Sequence, residues 1–331
     1  MEKSGKRKTL RRVMRKIVAG LGVCFLSTVA FAQERGDDVS LETKLRADVT
    51  MLADTIGPRS LYAPDVLQKA ADYVAQRFAA SGWKVNRLDY RVGFKRCENI
   101  EVEKRGTKFP EEIIIVGAHY DSVPQTPGAD DNASGVAAML ALAERFSTAA
   151  PERTLRFVAF TNEEPWYFQT DAMGSRVYAR RCKAQGDKVV AMLALETMGY
   201  FTDAKKTQHY PFPLSLFYPS RGNFLAIVGN RESSALVKRV KTVFESANVL
   251  PVESASLPGG LQGVGWSDHW SFWQEGYPAV MVTDTAPFRN RNYHKPTDTP
   301  ETLDYLHFAA AVRGLDTVVK DLVTGQNDKK K

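Results

Sequence analysis

Apolar residues along the chain change several times from a helical spacing to a strand-like spacing and back. Leu41–Ala53 and Pro64–Ala80 have the spacing of amphipathic helices, and the turn between them contains Gly57-Pro58. Polar and apolar residues then alternate in Trp83–Val92 and Asn99–Lys104, as in strands at a solvent-facing sheet edge. The first part of the domain is therefore predicted to combine two helices with the edge of a sheet.

The middle of the chain alternates continuous apolar runs with helical patterns. Such runs are typical of strands buried on both faces of a sheet. The runs are Ile113–Ala118, Leu155–Phe160, Val189–Leu195, Phe224–Val228 and Ala279–Val282. The helical patterns are Ala133–Phe146, Gly174–Ala184, Glu232–Ser246, Ser267–Gln274 and Thr302–Val323. This alternation predicts an open, mostly parallel α/β sheet with helices on both faces.

Two segments lack this alternation. Tyr200–Asn223 is rich in proline and aromatic residues, and we predict a long loop between strands, of the kind that often carries function. The tail Gly325–Lys331 is expected to be disordered.

The first 32 residues have the pattern of a secretory signal peptide. Met1–Lys16 carries eight Lys/Arg and one Glu, and the apolar run Ile17–Ala32 ends in Ala30-Phe31-Ala32. That run is shorter than the ~20 residues of a usual membrane span, which favours cleavage after Ala32 over a retained anchor. We expect an exported protein, periplasmic or secreted, with its domain at residues 33–324 and no stable membrane association after cleavage.

Charge and cysteine content argue against two classes of function. The full chain has a net charge of +7, and residues 1–32 contribute all of it. The remainder is near neutral and has no basic patch, so nucleic-acid binding is not expected. Cys97 and Cys182 could form one disulfide. Neither has a partner at zinc-finger spacing, so any metal is expected to be held by histidine and carboxylate groups.

Ionisable residues fall at the carboxyl ends of the predicted buried strands. His119 follows the first strand, Glu163-Glu164 follow the second, Glu196 ends the third, and His294 lies in the loop after Ala279–Val282. The ligand crevice of an open α/β sheet lies outside these strand ends. We therefore expect the side chains to meet at one edge of the sheet.

Asp131 is a further candidate, in the loop Gly128–Gly135. A carboxylate near a helix start is by itself more typical of an N-terminal cap. His119, twelve residues earlier, favours metal binding. The adjacent pair Asp130-Asp131 is costly to hold together unless a cation neutralises it. Two histidines and three carboxylates without cysteine suit Zn²⁺, with cobalt or manganese as substitutes.

Neighbouring acidic residues supply further roles. One carboxylate of Glu163-Glu164 can bind metal while the other acts as general base. Asp121 lies two residues after His119 and could orient that imidazole, and Asp298 could do the same for His294. Two metals that share one carboxylate would activate a water and polarise a carbonyl.

Together these segments resemble the co-catalytic di-zinc aminopeptidases of metallopeptidase clan MH. The matching motifs, in the family's order, are Gly117–Ser122, Gly128–Gly135, Thr161–Glu164, Ala194–Glu196, Ser267–His269, Gly276–Ala279 and Tyr293-His294, and the likeness spans about Leu41 to Leu322. The resemblance implies a single α/β domain with a mixed, mostly parallel sheet. It also implies two zinc ions per chain and hydrolysis of N-terminal peptide bonds in a peptide substrate.

The resemblance implies a role for each candidate residue. Asp131 would bridge both ions, His119 and Glu196 would complete one site, and Glu164 and His294 would complete the other. Glu163 would be the general base that takes a proton from the water and passes it to the leaving amine.

Two positions depart from the family pattern. Glu196 stands where the family often has aspartate, and both are competent oxygen ligands. Val264 stands where well-studied members place a tyrosine that stabilises the oxyanion, and valine cannot donate a hydrogen bond. Tyr200, Tyr293 or His269 could substitute, although His269 is more typical of a structural histidine. The oligomeric state stays open.

Other functions remain on the same scaffold. Carboxypeptidase action and glutaminyl cyclisation use this fold, and cyclases can work with one zinc. A non-catalytic binding domain is a third alternative, which the retention of all five candidate ligands and the base disfavours.

Overall fold

A computed structural model describes residues 39–325. The chain divides into a short N-terminal unit, Met1–Thr43, and a large unit, Lys44–Lys331, and the α/β architecture belongs to the large unit. The predicted signal peptide and residues 326–331 of the predicted tail lie outside the described residues. Within the described part of the chain, no helix combines the length and apolarity needed to cross a membrane.

Eight strands form one mixed sheet. They are β1 (Val85–Val92), β2 (Lys95–Lys104), β3 (Phe109–His119), β4 (Arg153–Phe160), β5 (Lys188–Glu196), β6 (Leu225–Gly229), β7 (Val252–Ser256) and β8 (Ala279–Thr283). Their spatial order is β1-β2-β4-β3-β5-β8-β6-β7. The central pairs β4/β3, β3/β5 and β5/β8 are parallel, as is β6/β7, whereas β1/β2, β2/β4 and β6/β8 are antiparallel. The predicted mixed sheet is confirmed.

Helices connect the strands and cover the sheet. They are α1 (Pro64–Ala80), α2 (Gly135–Phe146), α3 (Gly174–Gln185), α4 (Ser234–Ser246), α5 (His269–Trp273), α6 (Ala286–Arg289) and α7 (Tyr305–Thr324). In the large unit, residues 44–50 are also helical and end in a π-helical turn, Met51–Ile56. The predicted loop at Tyr200–Asn223 contains a short 3₁₀ turn, Leu214–Leu216, and a single antiparallel β-bridge between Lys205 and Arg221.

The continuous apolar runs form the centre of the sheet. Ile113–Ala118 is buried in β3, which pairs with β4 on one side and β5 on the other. Burial on both faces leaves no place for polar side chains, which explains the unbroken run. The side chains of Phe157 and Phe160 from β4 are fully buried in the same core.

Three features differ from the sequence predictions. Cys97–Val102 of β2 is buried rather than solvent-facing. The reason is that β2 lies inside the sheet, paired with β1 on one side and β4 on the other, so that β1 and not β2 is the edge strand here. β7 was not predicted, since its sequence Val-Glu-Ser-Ala-Ser has no apolar alternation. Cys97 and Cys182 are both buried and unpaired, so the disulfide that the sequence allowed is not formed.

Candidate metal centre

The carboxyl ends of three parallel strands bring the candidate ligands to one edge of the sheet. His119 is the last residue of β3 and Glu196 the last of β5. The register of β3 and β4 places His119 opposite Phe160, and Glu163-Glu164 follow just beyond. His294 comes from the loop after β8. The structure thus gathers residues that are far apart in sequence.

Asp131 lies between the two histidines. It belongs to the turn Ala129–Ser134 that precedes α2, and its side chain is buried. Its Oδ1 is 3.3 Å from Nε2 of His119, and its Oδ2 is 3.0 Å from Nε2 of His294. Each histidine also faces a second carboxylate, with Glu196 Oε2 3.3 Å from His119 and Glu164 Oε2 3.3 Å from His294. One aspartate therefore links two His–carboxylate groups.

The donor atoms fit a metal ion. His119 is fully buried, and within residues 39–325 neither of its ring nitrogens has a hydrogen-bond partner. An unpaired buried polar group costs about 1–3 kcal/mol, which coordination would offset. Among the described residues, ligand atoms of His119, Asp131 and Glu164 lie within 4.8 Å of one another, as do those of His119, Glu163 and Glu196. Nitrogen and oxygen donors without thiolate match zinc and its neighbours in the transition series.

Electrostatic repulsion in the cluster also favours a cation. Burial and the charge of Asp131 raise the pKa of Glu164 to about 8, and burial raises the pKa of Glu163 and of Glu196 above the ordinary value. Burial opposes the charged form of His294, but its hydrogen bonds to Asp131 and Glu164 raise its pKa to about 10. Divalent cations would replace these protons and remove the repulsion.

Glu163 differs from the other carboxylates of the cluster. Its Oε2 lies 3.8 Å from Nε2 of His119, farther than the oxygens of Asp131 and Glu196. Its carboxylate makes no hydrogen bond with the described residues, although it is only 7% exposed. A buried carboxylate with free oxygens and a raised pKa can accept and return a proton.

Asp121 fixes the main chain at Glu163 and Glu164. Its Oδ1 accepts a hydrogen bond from the backbone N–H of Glu163 and its Oδ2 one from that of Glu164, both at 3.2 Å. The same carboxylate lies 3.6 Å from Nδ1 of His119. At 3.6 Å this contact is too long for a hydrogen bond, so the orientation of His119 by Asp121 stays a prediction, whereas the two main-chain hydrogen bonds are a role that the sequence did not indicate.

Asp298 lies elsewhere than the sequence suggested. Its buried carboxylate accepts hydrogen bonds from the backbone N–H groups of Asp130, at 3.0 and 3.2 Å, and of Asp131, at 3.2 Å. These contacts give Asp298 the role of holding the turn that carries Asp131, and its suggested orientation of His294 stays a prediction.

Asp298→Ala is expected to weaken metal binding about 10–100-fold, the usual cost of losing a group that orients a metal ligand. The alanine variant leaves two buried N–H groups of this turn without an acceptor. Competition with a chromogenic chelator measures the affinity. Asp298→Asn keeps one acceptor oxygen and should lie closer to the original protein. Equal affinities in all three proteins would contradict this role.

Two residues that hold the site were not singled out from the sequence. Asn132 donates from Nδ2 to the carbonyl of Leu195 at 2.8 Å, and its Oδ1 accepts from the backbone N–H of Thr197 at 3.0 Å. Ser267 donates to Oε2 of Glu196 at 2.6 Å. Both residues lie inside motifs that the sequence does show, so position within a motif was the available signal.

The three oxyanion candidates lie in different surroundings. Tyr293 stacks on His294 with ring centroids 3.8 Å apart, and burial together with the carboxylates of the cluster raises its pKa well above the ordinary value. His269 is fully buried and pairs through Nε2 with the carbonyl of Val264 at 2.8 Å; burial lowers its pKa to about 4. Tyr200 is held through its main chain, by Asp284 and Arg289. Tyr293 is thus the phenol beside the metal centre.

A cavity of about 100 Å³ opens beside Glu196 and Tyr293. Its walls are mainly apolar and come from the sheet, from the loop after β5 and from the loop before α5. Val264, at the position of the family's tyrosine, is one wall residue. An apolar cavity next to a cluster of titratable groups is the usual form of a small-molecule site.

The model of the family described as "Peptidase family M28" matches residues 99–317, a span that includes every candidate metal ligand. This chain belongs to peptidase family M28. It is therefore a hydrolase of the peptidase class, and the sequence resemblance to clan MH aminopeptidases is confirmed at the level of the family.

Similar proteins agree with this assignment. The Escherichia coli K12 protein described as "Uncharacterized protein YfbL" is 39% identical over 285 residues, which cover 83% of this chain and 87% of that protein. A probable leucine aminopeptidase of Trichophyton verrucosum is 26% identical over 250 residues, 68% of this chain and 59% of that protein. The M28 chain thus matches only part of the length of this second relative.

Solved structures share the fold. The zinc aminopeptidase BSAP from Bacillus subtilis superimposes with a TM-score of 0.70 at 16% identity, covering 88% of this chain and 96% of that chain. A glutaminyl cyclase from Fimbriiglobus ruber gives a TM-score of 0.61 at 19% identity, with 84% and 94% covered. At these identities the likeness shows the fold alone.

Proposed function

We propose that this M28 peptidase is an aminopeptidase that holds two zinc ions and removes N-terminal residues from peptides. The observation that carries the proposal is the position of Asp131, which offers one oxygen to each of two His–carboxylate groups. His119 and Glu196 would hold one ion and Glu164 and His294 the other, with Asp131 shared. The named aminopeptidases among its relatives support the reaction class.

Bound zinc would polarise the scissile carbonyl and lower the pKa of the attacking water. The residues of this chain supply the remaining steps. Glu163 takes a proton from the water as it attacks and delivers that proton to the departing amine. Its freedom from other hydrogen bonds leaves both oxygens available for this exchange.

The cavity beside Glu196 would receive the side chain of the N-terminal residue. Its apolar walls exclude water from the reacting bond, which strengthens every electrostatic interaction there. Tyr293 stacks on His294, and its phenol would donate a hydrogen bond to the oxyanion. Val264 cannot fill this role, because valine has no hydrogen-bond donor in its side chain. The N-terminal segment, outside the described residues, supports export to an extracytoplasmic compartment.

Metal removal is expected to abolish hydrolysis. Dialysis against a chelator should eliminate release of free amino acids from unblocked peptides, and added zinc should restore it, because the ions would supply both the activated water and most of the polarisation of the carbonyl. Metal analysis of the reloaded protein should give two zinc ions per chain. Full activity in metal-free protein would contradict the proposal.

Glutaminyl cyclisation is a second candidate, because a cyclase shares this fold. N-terminal glutamine peptides separate the two reactions, since a cyclase yields pyroglutamate whereas an aminopeptidase releases glutamine. One zinc per chain together with pyroglutamate would favour the cyclase. Peptides with a blocked N-terminus test for carboxypeptidase action in the same assay.

A further inference from the structure

One face of the sheet carries a row of paired residues from the metal centre to the last strand. Glu196 of β5 pairs with Thr283 of β8, Thr283 with Ala226 of β6, and Ala226 with Glu253 of β7. Directly paired residues project from the same face of a sheet, and all four line the cavity. Across three strand spacings, the Cα of Glu253 lies about 14 Å from that of Glu196. Glu253 is therefore at the far end of the cavity.

Glu253 has no partner for its charge. Within residues 39–325 its carboxylate makes no hydrogen bond and no ion pair. Lys241, the cation that lowers its pKa, is bound to Glu245, and burial still raises the pKa of Glu253. The guanidinium of Arg289 donates to Gln208 and to main-chain carbonyls, and so is not available either. The carboxylate of Glu253 is only partly buried, so it keeps part of its hydration, and a cationic ligand in the cavity would be attracted to it.

Two aromatic rings lie near the same carboxylate. Tyr210 and Tyr218 line the cavity and stack with their ring centroids 5.7 Å apart. Burial raises the pKa of both phenols, and the charge of Glu253 adds to that effect. Their hydroxyls donate to the carbonyls of Pro219 and Ser254, at 2.6 and 2.9 Å. The rings are thus fixed in place, and aromatic faces attract cations.

The cavity between the two ends is apolar. Val228 and Met281 form part of its floor, and Leu214, Leu257 and Phe288 form part of its walls. A ligand that contacts both the apolar walls and the carboxylate of Glu253 needs an apolar stem and a cationic end. Arginine and lysine side chains have this construction, with methylene groups that pack on apolar surface below a charged head.

We propose that the cavity selects an N-terminal arginine or lysine, with the methylene stem against the apolar walls and the cationic group paired with Glu253 beside Tyr210 and Tyr218. The proposal rests on the proposed aminopeptidase function and specifies its substrate class. A purely apolar side chain would contact the walls but would leave the partly buried carboxylate of Glu253 unpaired, so it is the weaker substrate.

The test compares substrates that differ only in charge. Dipeptides with N-terminal arginine and with N-terminal citrulline, its neutral isostere, are assayed with the zinc-loaded enzyme, and a norleucine dipeptide is the apolar reference. In the original protein kcat/KM for arginine should exceed that for citrulline about tenfold or more, as expected for a charge-assisted contact. In Glu253→Gln the ratio should fall to near one while norleucine hydrolysis is retained.

Glu232→Gln is the matched control. It removes an equal charge from an exposed residue that does not line the cavity, and should leave the arginine-to-citrulline ratio unchanged. Two results would overturn the specificity proposal: an arginine-to-citrulline ratio near one in the original protein, or a ratio that Glu253→Gln does not change. In either case hydrolysis of the norleucine dipeptide would still support the aminopeptidase function. Failure to cleave any of the three substrates would instead overturn the proposed function, and this proposal with it.

Discussion

Glu163→Gln is expected to lower kcat for peptide hydrolysis about 10²–10⁴-fold, the usual contribution of a positioned general base. Glutamine has nearly the same shape but cannot take up a proton at neutral pH. The N–H of residue 163 would keep its hydrogen bond to Asp121, so the main chain of the site should be preserved. Steady-state kinetics on an unblocked peptide measure the effect.

The zinc content of the Glu163→Gln variant shows whether Glu163 acts as a general base or as a metal ligand. Glu163 also lies in a group of atoms that could hold an ion together with His119 and Glu196. A variant that binds as much zinc as the original protein but is slow supports the base role. Loss of one zinc per chain would make Glu163 a ligand instead, and a wild-type rate would remove it from the chemistry.

Arg59→Met is expected to reduce the free energy of unfolding by about 3 kcal/mol or more, since it leaves several buried carbonyls without a donor. The Arg59 side chain is completely buried. Its guanidinium donates to the carbonyls of Tyr120 at 2.7 Å, Pro127 at 2.5 Å and Gly128 at 2.7 Å. Burial lowers its pKa to about 10, even though the carboxylates of Asp121 and others oppose that shift.

Urea unfolding of the metal-free protein measures this loss without the contribution of bound zinc. Arg105→Met is the control, because Arg105 is exposed and its replacement should change stability by no more than about 0.5 kcal/mol. Similar midpoints for the two variants would show that Arg59 does not hold the loops. Since Gly128 begins the turn that carries Asp131, the variant should also bind zinc more weakly.

Much of the fold could be predicted because hydrophobic spacing reports burial directly. The runs in β3, β5 and β8 correspond to strands buried on both faces, where apolar residues are required, and the run in β4 is interrupted by the partly buried Arg156. β7 was not predicted from the sequence because it is an edge strand, and a short edge strand needs no apolar pattern. The position of β2 inside the sheet depended on its pairing with β4, a long-range contact that local alternation does not encode.

The candidate site could be located for a different reason. Parallel strands deliver their carboxyl ends to one edge, so His119 and Glu196 could be placed there without coordinates. The true contacts of Asp298 could not, because they depend on how a loop folds back onto residues 168 positions away. Arg59 gave no signal either, since a buried arginine that binds main-chain carbonyls leaves no periodic pattern. Glu253 became recognisable only through the register of an unpredicted strand.

The two oxygens of Asp121 accept hydrogen bonds from the consecutive amides of Glu163 and Glu164, so the proposed general base and a proposed metal ligand are anchored to one carboxylate. Any change in the reach of that side chain would move both groups together. A substitution at Asp121 is therefore expected to alter proton transfer and ion binding at once, because neither group can be repositioned alone from this side chain.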